Sequence, residues 1–194
     1  MGKIVMSGPQ NVSLDGVVQD PDGKEGSKPG GWFVTSGGED LKEWNKVALD
    51  EALRAEAWLL GRRSYEFFGV RWRPRSGELA DRLNSMPKYV VSSTLEDPVW
   101  NNSTVLKGDV VTEVSKLKQE LAGDIVVYAS TSLVHTLMEH DLVDELRLTV
   151  FPVVLGAGER LFGETGDDRP MRLVKTRTVG DSLVHLTYER VRAA

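Results

Sequence analysis

The spacing of apolar residues predicts that short buried strands alternate with amphipathic helices along most of the chain. Between residues 40 and 57 apolar side chains recur at helical spacing with charged residues between them, which indicates one amphipathic helix. The short apolar run at residues 58–60 ends at Gly61, and a second helical segment starts at Arg62. The same order of strand, small polar residues and helix returns at residues 88–94 and 124–138, and a further helix is predicted between residues 111 and 121. Alternation of this kind is typical of an α/β fold with a mainly parallel sheet.

The segments at the two ends have a different pattern. Residues 4–14 predict a first strand that ends close to Asp15. Residues 19–38 are rich in Gly and Pro and predict a long loop, in which Trp32 and Phe33 either anchor the loop to the core or cover a pocket. We expect them to act as an anchor. The apolar runs at 146–155, 172–179 and 183–191, the last two joined by a Gly-Asp turn, predict an antiparallel edge to the sheet.

Composition narrows the class of protein. The chain has 194 residues, of which 40% are hydrophobic, and it shows neither an internal repeat nor a linker, so we expect one domain spanning residues 1–194. The formal net charge of -5 disfavours a nucleic-acid partner. Residues 1–6 lack the apolar core of a signal peptide, and we expect a cytoplasmic protein without a membrane partner.

Several kinds of reaction chemistry are disfavoured. The chain has no cysteine, which excludes disulfides, thiolate zinc sites and a cysteine nucleophile. The three histidines, His135, His140 and His185, lack metal-ligand spacing, so we expect no metal site and place them at the surface or at helix ends. The sequence also lacks the glycine-serine elbow of hydrolases and the phosphate loop of nucleotide triphosphatases.

Small polar residues follow three of the predicted strands. Ligands of open α/β sheets bind beyond the carboxyl ends of the strands, where helix N-termini attract anions. Gly61, Arg62 and Ser64 offer backbone amides, a guanidinium and a hydroxyl, and residues 92–94 add three hydroxyls. The sequence therefore predicts a phosphate site at this edge. The alternative is that the hydroxyls only cap helices and that Arg62 is a solvated surface charge.

Four ordered motifs, at residues 13–16, 60–66, 86–94 and 144–158, together resemble the dihydrofolate reductase superfamily. The closer branch is the reductase domain of riboflavin biosynthesis (RibD C-terminal type) and its stand-alone relatives. The resemblance covers nearly the whole chain. It implies a three-layer fold in which helices cover both faces of a central, mostly parallel sheet that ends in an antiparallel C-terminal hairpin.

The resemblance also implies an activity and a cofactor. It points to a reductase that transfers a hydride from NADPH to a small pterin- or pyrimidine-like heterocycle, and to a homodimer formed through the C-terminal strands. The implied cofactor-binding residues are Gly61, Arg62, Ser64, Ser92, Ser93, Thr94, Ala129, Ser130, Thr131 and Ser132. Ala129 stands where the family has glycine, and we expect its methyl group to weaken the approach of phosphate, unless the hydroxyls and amides that follow compensate.

Asp15 is the candidate catalytic residue, because the resemblance places the acid of this turn beside the nicotinamide. We expect burial to raise its pKa so that it can hydrogen-bond substrate or relay a proton. The alternative is an aspartate that only shapes the turn before a glycine. The implied substrate-binding residues are Gly16, Phe151, Pro152, Leu155 and Gly156. The rival hypothesis for the whole chain is a non-catalytic nucleotide- or ligand-binding module that retains the fold.

Overall fold

A computed structural model of the chain describes residues 1–163 and 168–191. The described strands are β1 (Lys3–Ser13), β2 (Ala55–Gly61), β3 (Lys88–Val91), β4 (Ser103–Leu106), β5 (Asp124–Val127), β6 (Val143–Phe151), β7 (Met171–Val179) and β8 (Leu183–Arg190). The described α-helices are α1 (Trp32–Gly37), α2 (Leu41–Arg54), α3 (Arg62–Trp72), α4 (Glu78–Ser85), α5 (Val110–Glu120) and α6 (Thr131–Glu139). A single 3-10 turn, Gly38–Asp40, precedes α2.

The chain divides into two compact units. The first unit comprises Met1–Gly8 and Ala48–Glu145, and the second comprises Pro9–Val47 and Leu146–Ala194. Strands β1 and β6 each contribute residues to both units. Every helix in the described ranges falls short, in length or in apolar character, of what a membrane crossing needs.

The first unit is built on parallel strands in the order β4-β3-β2-β5-β1, with β6 next to β1. In its centre Trp58 on β2 lies opposite Lys88 on one side and Val126 on the other. The apolar runs at residues 4–6, 58–60 and 125–127 are almost completely buried. Continuous apolar runs are what a parallel sheet covered on both faces requires, and the predicted α/β core is confirmed.

In the second unit the strands follow the order β1-β6-β8-β7, and β7 pairs with β8 in an antiparallel hairpin, as predicted. Asp40 stabilises the turn between β7 and β8, because its carboxylate accepts hydrogen bonds from the amides of Asp181 and Ser182, both at 2.9 Å. Gly180 precedes these amides at a φ of 65°, and a Cβ atom there would collide with the Asp40 carboxylate. The turn therefore needs both the glycine and the acid.

Aromatic residues form the core of the second unit. Trp32 is 3% exposed and meets Phe151 edge-on, with their ring centroids 5.5 Å apart. Phe33 packs against both Phe151 and Trp44. The expectation that Trp32 and Phe33 anchor their segment is confirmed.

The segment between β1 and α1 is ordered around Asp20. The buried Asp20 carboxylate accepts hydrogen bonds from the amides of Glu25 and Ser27, and its carbonyl accepts those of Gly23 and Gly31. Burial would raise the pKa of Asp20, but these hydrogen bonds outweigh it and hold the pKa below its usual value. A stretch that is a loop by composition is thus ordered by the side chain and the carbonyl of one residue.

The structure corrects four local predictions. Helix α2 ends at Arg54 and β2 begins at Ala55, three residues before the predicted strand, because Ala55 and Ala57 pair with β5 across a bulge. The loop predicted at residues 19–38 ends in helix α1, and helix α4 and strand β4 were not predicted either. Strand β4 has only four residues, lies at the edge of the sheet beside β3, and has no buried residue. Its sequence therefore carries little hydrophobic pattern.

A buried ion pair ties α5 to the start of β6 in the first unit. The ammonium of Lys118 donates to the Asp144 carboxylate and to the carbonyl of Leu142, and Asp144 also accepts the Ile4 amide at 2.8 Å. The side chains of Lys118 and Asp144 are 6% and 11% exposed. Because both charges are removed from water, loss of one would leave the other poorly solvated.

We expect Lys118→Met to lower the free energy of unfolding by about 3–5 kcal/mol, because the largely buried Asp144 carboxylate loses its ammonium partner. The matched control is Lys116→Met, which breaks an exposed pair with Glu113 on the same helix and should cost less than about 1 kcal/mol. Urea unfolding of both variants measures the two losses. Similar losses in the two variants would contradict the special role of the buried pair.

Candidate functional site

The turn from β2 into α3 exposes an uncapped helix N-terminus. Gly61 is the N-cap residue in an extended conformation, no side chain caps the helix, and its first turn contains no acidic residue. Arg62 and Arg63 open the helix instead. Free amides, the helix dipole and two guanidinium groups give this end a positive potential that suits an anion.

The turn from β5 into α6 also leads into an uncapped helix N-terminus, and its backbone is strained. Ala129 and Ser130 have φ angles of 51° and 54°, in the left-handed region that glycine normally occupies. Side chains with a Cβ atom adopt this region at a cost of about 1–2 kcal/mol each. Helix α6 begins at Thr131 with neither a side-chain cap nor an acidic residue in its first turn. The glycine conformation that the resemblance implies is therefore retained without the glycine.

Two serine hydroxyls connect these helix ends. The Gly61 amide donates to the Ser130 hydroxyl at 3.1 Å, and the Ser130 amide donates to the Ser64 hydroxyl at 3.1 Å. A Cβ atom at Gly61 would lie 3.7 Å from the Ser130 oxygen, which is an ordinary contact, so space alone does not demand glycine there. The structure brings Gly61, Ser64 and Ser130 together, and it pairs two amides that a phosphate could otherwise accept.

The strand end after β3 joins the same group through Arg62. The Arg62 guanidinium donates to the Thr94 hydroxyl, and its Nε donates to Glu66 at 2.8 Å. The Ser92 hydroxyl accepts the amides of Thr94 and Leu95, and Ser93 is exposed. Ser92 therefore shapes the turn, whereas Arg62 and Thr94 present donors to solvent.

The predicted acid, Asp15, lies in the second unit. Its Oδ1 accepts hydrogen bonds from the Ser13 hydroxyl at 2.7 Å and the Leu155 amide at 3.1 Å, and its Oδ2 accepts the Gly156 amide at 2.8 Å. The hydrogen bond from Ser13, followed by those from Leu155 and Gly156, lowers the pKa of Asp15 to about 2. The expectation of a raised pKa was wrong, because hydrogen bonding to the ionised form outweighs burial.

The ionised Asp15 keeps room for one more donor. A carboxylate offers about four acceptor positions, two on each oxygen, and the described contacts occupy both on Oδ1 and one on Oδ2. Asp15 can therefore accept a further hydrogen bond at Oδ2, but as an anion it cannot donate a proton near neutral pH.

The residues predicted around Asp15 have different surroundings. Gly16 takes a φ of 83° and its carbonyl accepts the Leu161 amide. Pro152 and Gly156 are exposed and Leu155 is half-buried, whereas Phe151 is fully buried in the aromatic core. Leu155 and Gly156 lie in the loop after β6 and donate to Asp15, Gly16 directly follows Asp15 in the turn after β1, and Phe151 is a core residue.

Sequence reasoning missed Arg160. Its guanidinium donates to the Asp15 carbonyl at 2.6 Å and so holds the acid from its other side. The two residues are 145 positions apart, and a single arginine in a glycine-rich loop gives no signal of this contact.

A metal site finds no support in residues 1–163 and 168–191, where no cluster of three or more potential ligands occurs. The placement of His185 at the surface or a helix end was wrong. This histidine is 5% exposed on β8, and its Nδ1 lies 3.1 Å from the Thr149 hydroxyl. Inward-facing positions of a strand are buried whatever their polarity, which explains the difference.

The structure thus gathers the predicted residues into two groups. The cofactor candidates lie in the first unit, at the ends of three neighbouring parallel strands. The acid and the substrate candidates lie in the second unit. The first group is equipped to bind an anion and the second to accept a hydrogen bond.

Comparison with known proteins finds one matching family. Residues 10–185 match the model of the RibD C-terminal domain. The chain is 34% identical to the "Uncharacterized protein YyaP" of Bacillus subtilis (strain 168) over 136 residues, which are 67% of this chain and 71% of that protein.

Solved structures show the same fold. The "Putative riboflavin biosynthesis protein" of Shewanella sp. PV-4 aligns with a TM-score of 0.74 and 26% identity over 99% of this chain and 100% of the other. A dihydrofolate reductase from Enterococcus faecalis, complexed with NADP(H), aligns with a TM-score of 0.59 and 19% identity over 98% and 96% of the two chains. The dihydrofolate-reductase-like fold is thereby confirmed.

We expect Ala129→Gly to raise the free energy of unfolding by up to about 1 kcal/mol, because glycine relieves the left-handed strain but is more flexible when unfolded. The control is Ala122→Gly, another exposed alanine, which lies outside the positive-φ positions and should lose stability. Urea unfolding decides the sign of each change. A loss of stability in Ala129→Gly would contradict the strain.

Asp15 also predicts a dependence of stability on pH. A carboxyl whose pKa falls from 3.8 to about 2 on folding stabilises the folded protein above pH 3.8, and this stabilisation disappears as the pH falls toward 2. The urea midpoint of wild type should therefore exceed that of Asp15→Asn above about pH 5, with the difference shrinking below pH 4. Asp97→Asn, an exposed site without a described hydrogen bond, is the control. A difference between wild type and Asp15→Asn that stays constant down to pH 2 would contradict the assignment.

Proposed function

We infer the function of this chain from its family: it belongs to the RibD C-terminal domain family, and we propose that it is an NADPH-dependent reductase of a small pterin- or pyrimidine-like heterocycle. The observation that carries the proposal is the pair of uncapped, acid-free helix N-termini of α3 and α6, which Ser64 and Ser130 connect in the first unit.

These helix ends suit the diphosphate of a dinucleotide. Thr131 and Ser132 contribute amides and hydroxyls in the first turn of α6, and Arg62 and Arg63 contribute positive charge in the first turn of α3. A phosphate oxygen can replace the serine hydroxyls as the acceptor for the amides of Gly61 and Ser130. The donor set fits an anionic cofactor, and nothing acidic in either first turn opposes it.

Arg62 supports a preference for the phosphorylated dinucleotide. Its guanidinium is about half exposed and already meets the Thr94 hydroxyl from the neighbouring strand end. A planar guanidinium with spare N–H groups next to a hydroxyl matches the 2′-phosphate that distinguishes NADPH from NADH.

When bound, NADPH supplies the hydride that a C=N carbon of the substrate accepts. The role of Asp15 is to orient the ring, since its free Oδ2 position accepts an N–H of the heterocycle. Because Asp15 is ionised, the proton that the ring nitrogen takes up comes from water rather than from this carboxyl group. Ser13, Leu155 and Gly156 keep the carboxylate charged and in place.

A non-catalytic binding module is the second candidate. Two features favour it: Ala129 holds a left-handed backbone where the resemblance implies a glycine, and the amides of Gly61 and Ser130 already have internal partners. Such a module would bind a dinucleotide without turning over any substrate.

The exposed apolar side chains of the C-terminal hairpin support a homodimer as part of the proposal. Leu173, Val174 and Val184 are 49%, 40% and 37% exposed on β7 and β8. A second copy of this chain would remove them from water.

The two candidates differ in turnover. If the chain is a reductase, the absorbance of NADPH should fall when the purified protein is mixed with NADPH and a pterin or oxidised pyrimidine that it accepts as substrate. Calorimetry in parallel measures whether NADPH binds. Binding without turnover on any substrate favours the module, and the absence of binding overturns both.

We expect Arg62→Gln to weaken NADPH binding about tenfold or more, because it removes a charged hydrogen bond to the 2′-phosphate, and to change NADH binding less than about threefold. Arg63→Gln removes the adjacent charge and is the matched control, and it should change the affinity for the two cofactors equally, because both carry the diphosphate. Fluorescence titration measures the four affinities. Equal losses of NADPH and NADH in Arg62→Gln would remove this residue from 2′-phosphate recognition.

A further inference from the structure

A cavity of about 680 Å³ opens at the far end of α3, away from the cofactor candidates. Gly69, Val70 and Pro74 are among the residues that line it. Gly61 and Ser64 lie at the first turn of this helix, and 11 residues at 1.5 Å each separate the two ends by about 16 Å. The volume is in the range of small-molecule sites.

Arg73 gives the cavity a cation that is available to a ligand. It lines the cavity, is exposed, and has no ion pair within the described residues. The two neighbouring arginines are engaged, since Arg71 stacks over Phe67 and Arg75 lies 4.8 Å from the Trp72 ring centroid. Arg73 is thus the member of this basic segment that remains free to hold an anion.

A buried positive charge lies next to three further lining residues of the cavity, Asn84, Trp100 and Asn101. The Lys88 ammonium donates to the carbonyls of Asn84 at 3.0 Å and Asn101 at 3.2 Å, and it lies 4.5 Å from the Trp100 ring centroid. Lys88 is fully buried, and no carboxylate occurs among its described partners. Its charge is solvated by carbonyl oxygens but not neutralised, which favours a nearby anion.

Lys88 is charged under ordinary conditions. Burial, with the charge of Arg82, lowers its pKa to about 8, so the ammonium form still prevails at neutral pH.

The apolar part of the cavity has room for a ring. Gly69 is buried beside Trp100, and its missing side chain leaves space there: a Cβ atom would lie 3.5 Å from the indole. Val70 is 74% exposed on the adjacent position of α3, and Pro74 adds a second apolar surface. A flat apolar body can therefore lie on Val70 and Pro74 while a charged group reaches Arg73.

We propose that this cavity is a binding site for a small organic anion, a planar ring that carries a carboxylate or phosphate group. The anionic group pairs with the Arg73 guanidinium, the Asn101 amide supplies a further donor, and the ring lies against Val70 and Pro74. The site is separate from the proposed cofactor region and does not depend on reductase activity.

The test uses the full chain and three ring compounds. Calorimetric titration with benzoate, phenyl phosphate and the neutral benzamide should show that both anions bind, and that benzamide binds at least about tenfold more weakly because it lacks the charge. Absence of binding by both anions at millimolar concentration overturns the proposal, as does equal binding of benzamide.

Two variants locate the site. Arg73→Gln should weaken both anions about tenfold or more, whereas Arg75→Gln, which removes a charge outside the cavity lining, should change their affinity less than about twofold. Gly69→Ala places a methyl group in the cavity at an ordinary distance from Trp100, so it should keep the melting temperature and weaken binding. Anion binding that survives both Arg73→Gln and Gly69→Ala lies elsewhere and overturns the proposal.

Discussion

The parallel pairing of β2 with β5 is the constraint on which the candidate cofactor site depends. Leu59 lies opposite Val127, so the two strands reach the same edge of the sheet and turn into α3 and α6 side by side. Because the turns are neighbours, the hydroxyls of Ser64 and Ser130 can join them. The left-handed backbone at Ala129 is the cost of turning so abruptly from strand to helix without glycine.

The two groups of candidate residues differ in charge. The first turns of α3 and α6 contain no acidic residue and α3 begins with two arginines, whereas the first turns of α4 and α5 in the same unit contain acidic residues. The second unit holds its acid, Asp15, in the ionised form with three hydrogen bonds. The positive helix ends and the ionised Asp15 therefore have their charges in place without a ligand. Binding sites are called preorganised when their charges are arranged in this way.

Much of the fold could be predicted from the sequence because local and tertiary preferences agree there. The apolar runs at residues 58–60 and 125–127 form buried parallel strands, and the turn at Gly180 joins the hairpin. Prediction failed where tertiary pairing overrode local preference, as at Ala55, which continues a helical pattern but pairs with β5.

The proximity of some candidate residues was predictable from the sequence, but their hydrogen bonds and pKa values were not. Small polar residues after strands pointed to Gly61, Ser64 and Ser130, yet the hydrogen bonds among them depend on which strands are neighbours. The pKa of Asp15 depends on amides from residues 155 and 156 and could not be predicted from its own turn. Arg160 shares this dependence on distant contacts.

Asp20 has a consequence for how the segment before α1 can move. One carboxylate and one carbonyl of the same residue collect amides from Gly23, Glu25, Ser27 and Gly31, so each of these hydrogen bonds relies on the position of the others. Because all four hydrogen bonds share Asp20 as acceptor, we expect them to open together, as one cooperative unit of local unfolding.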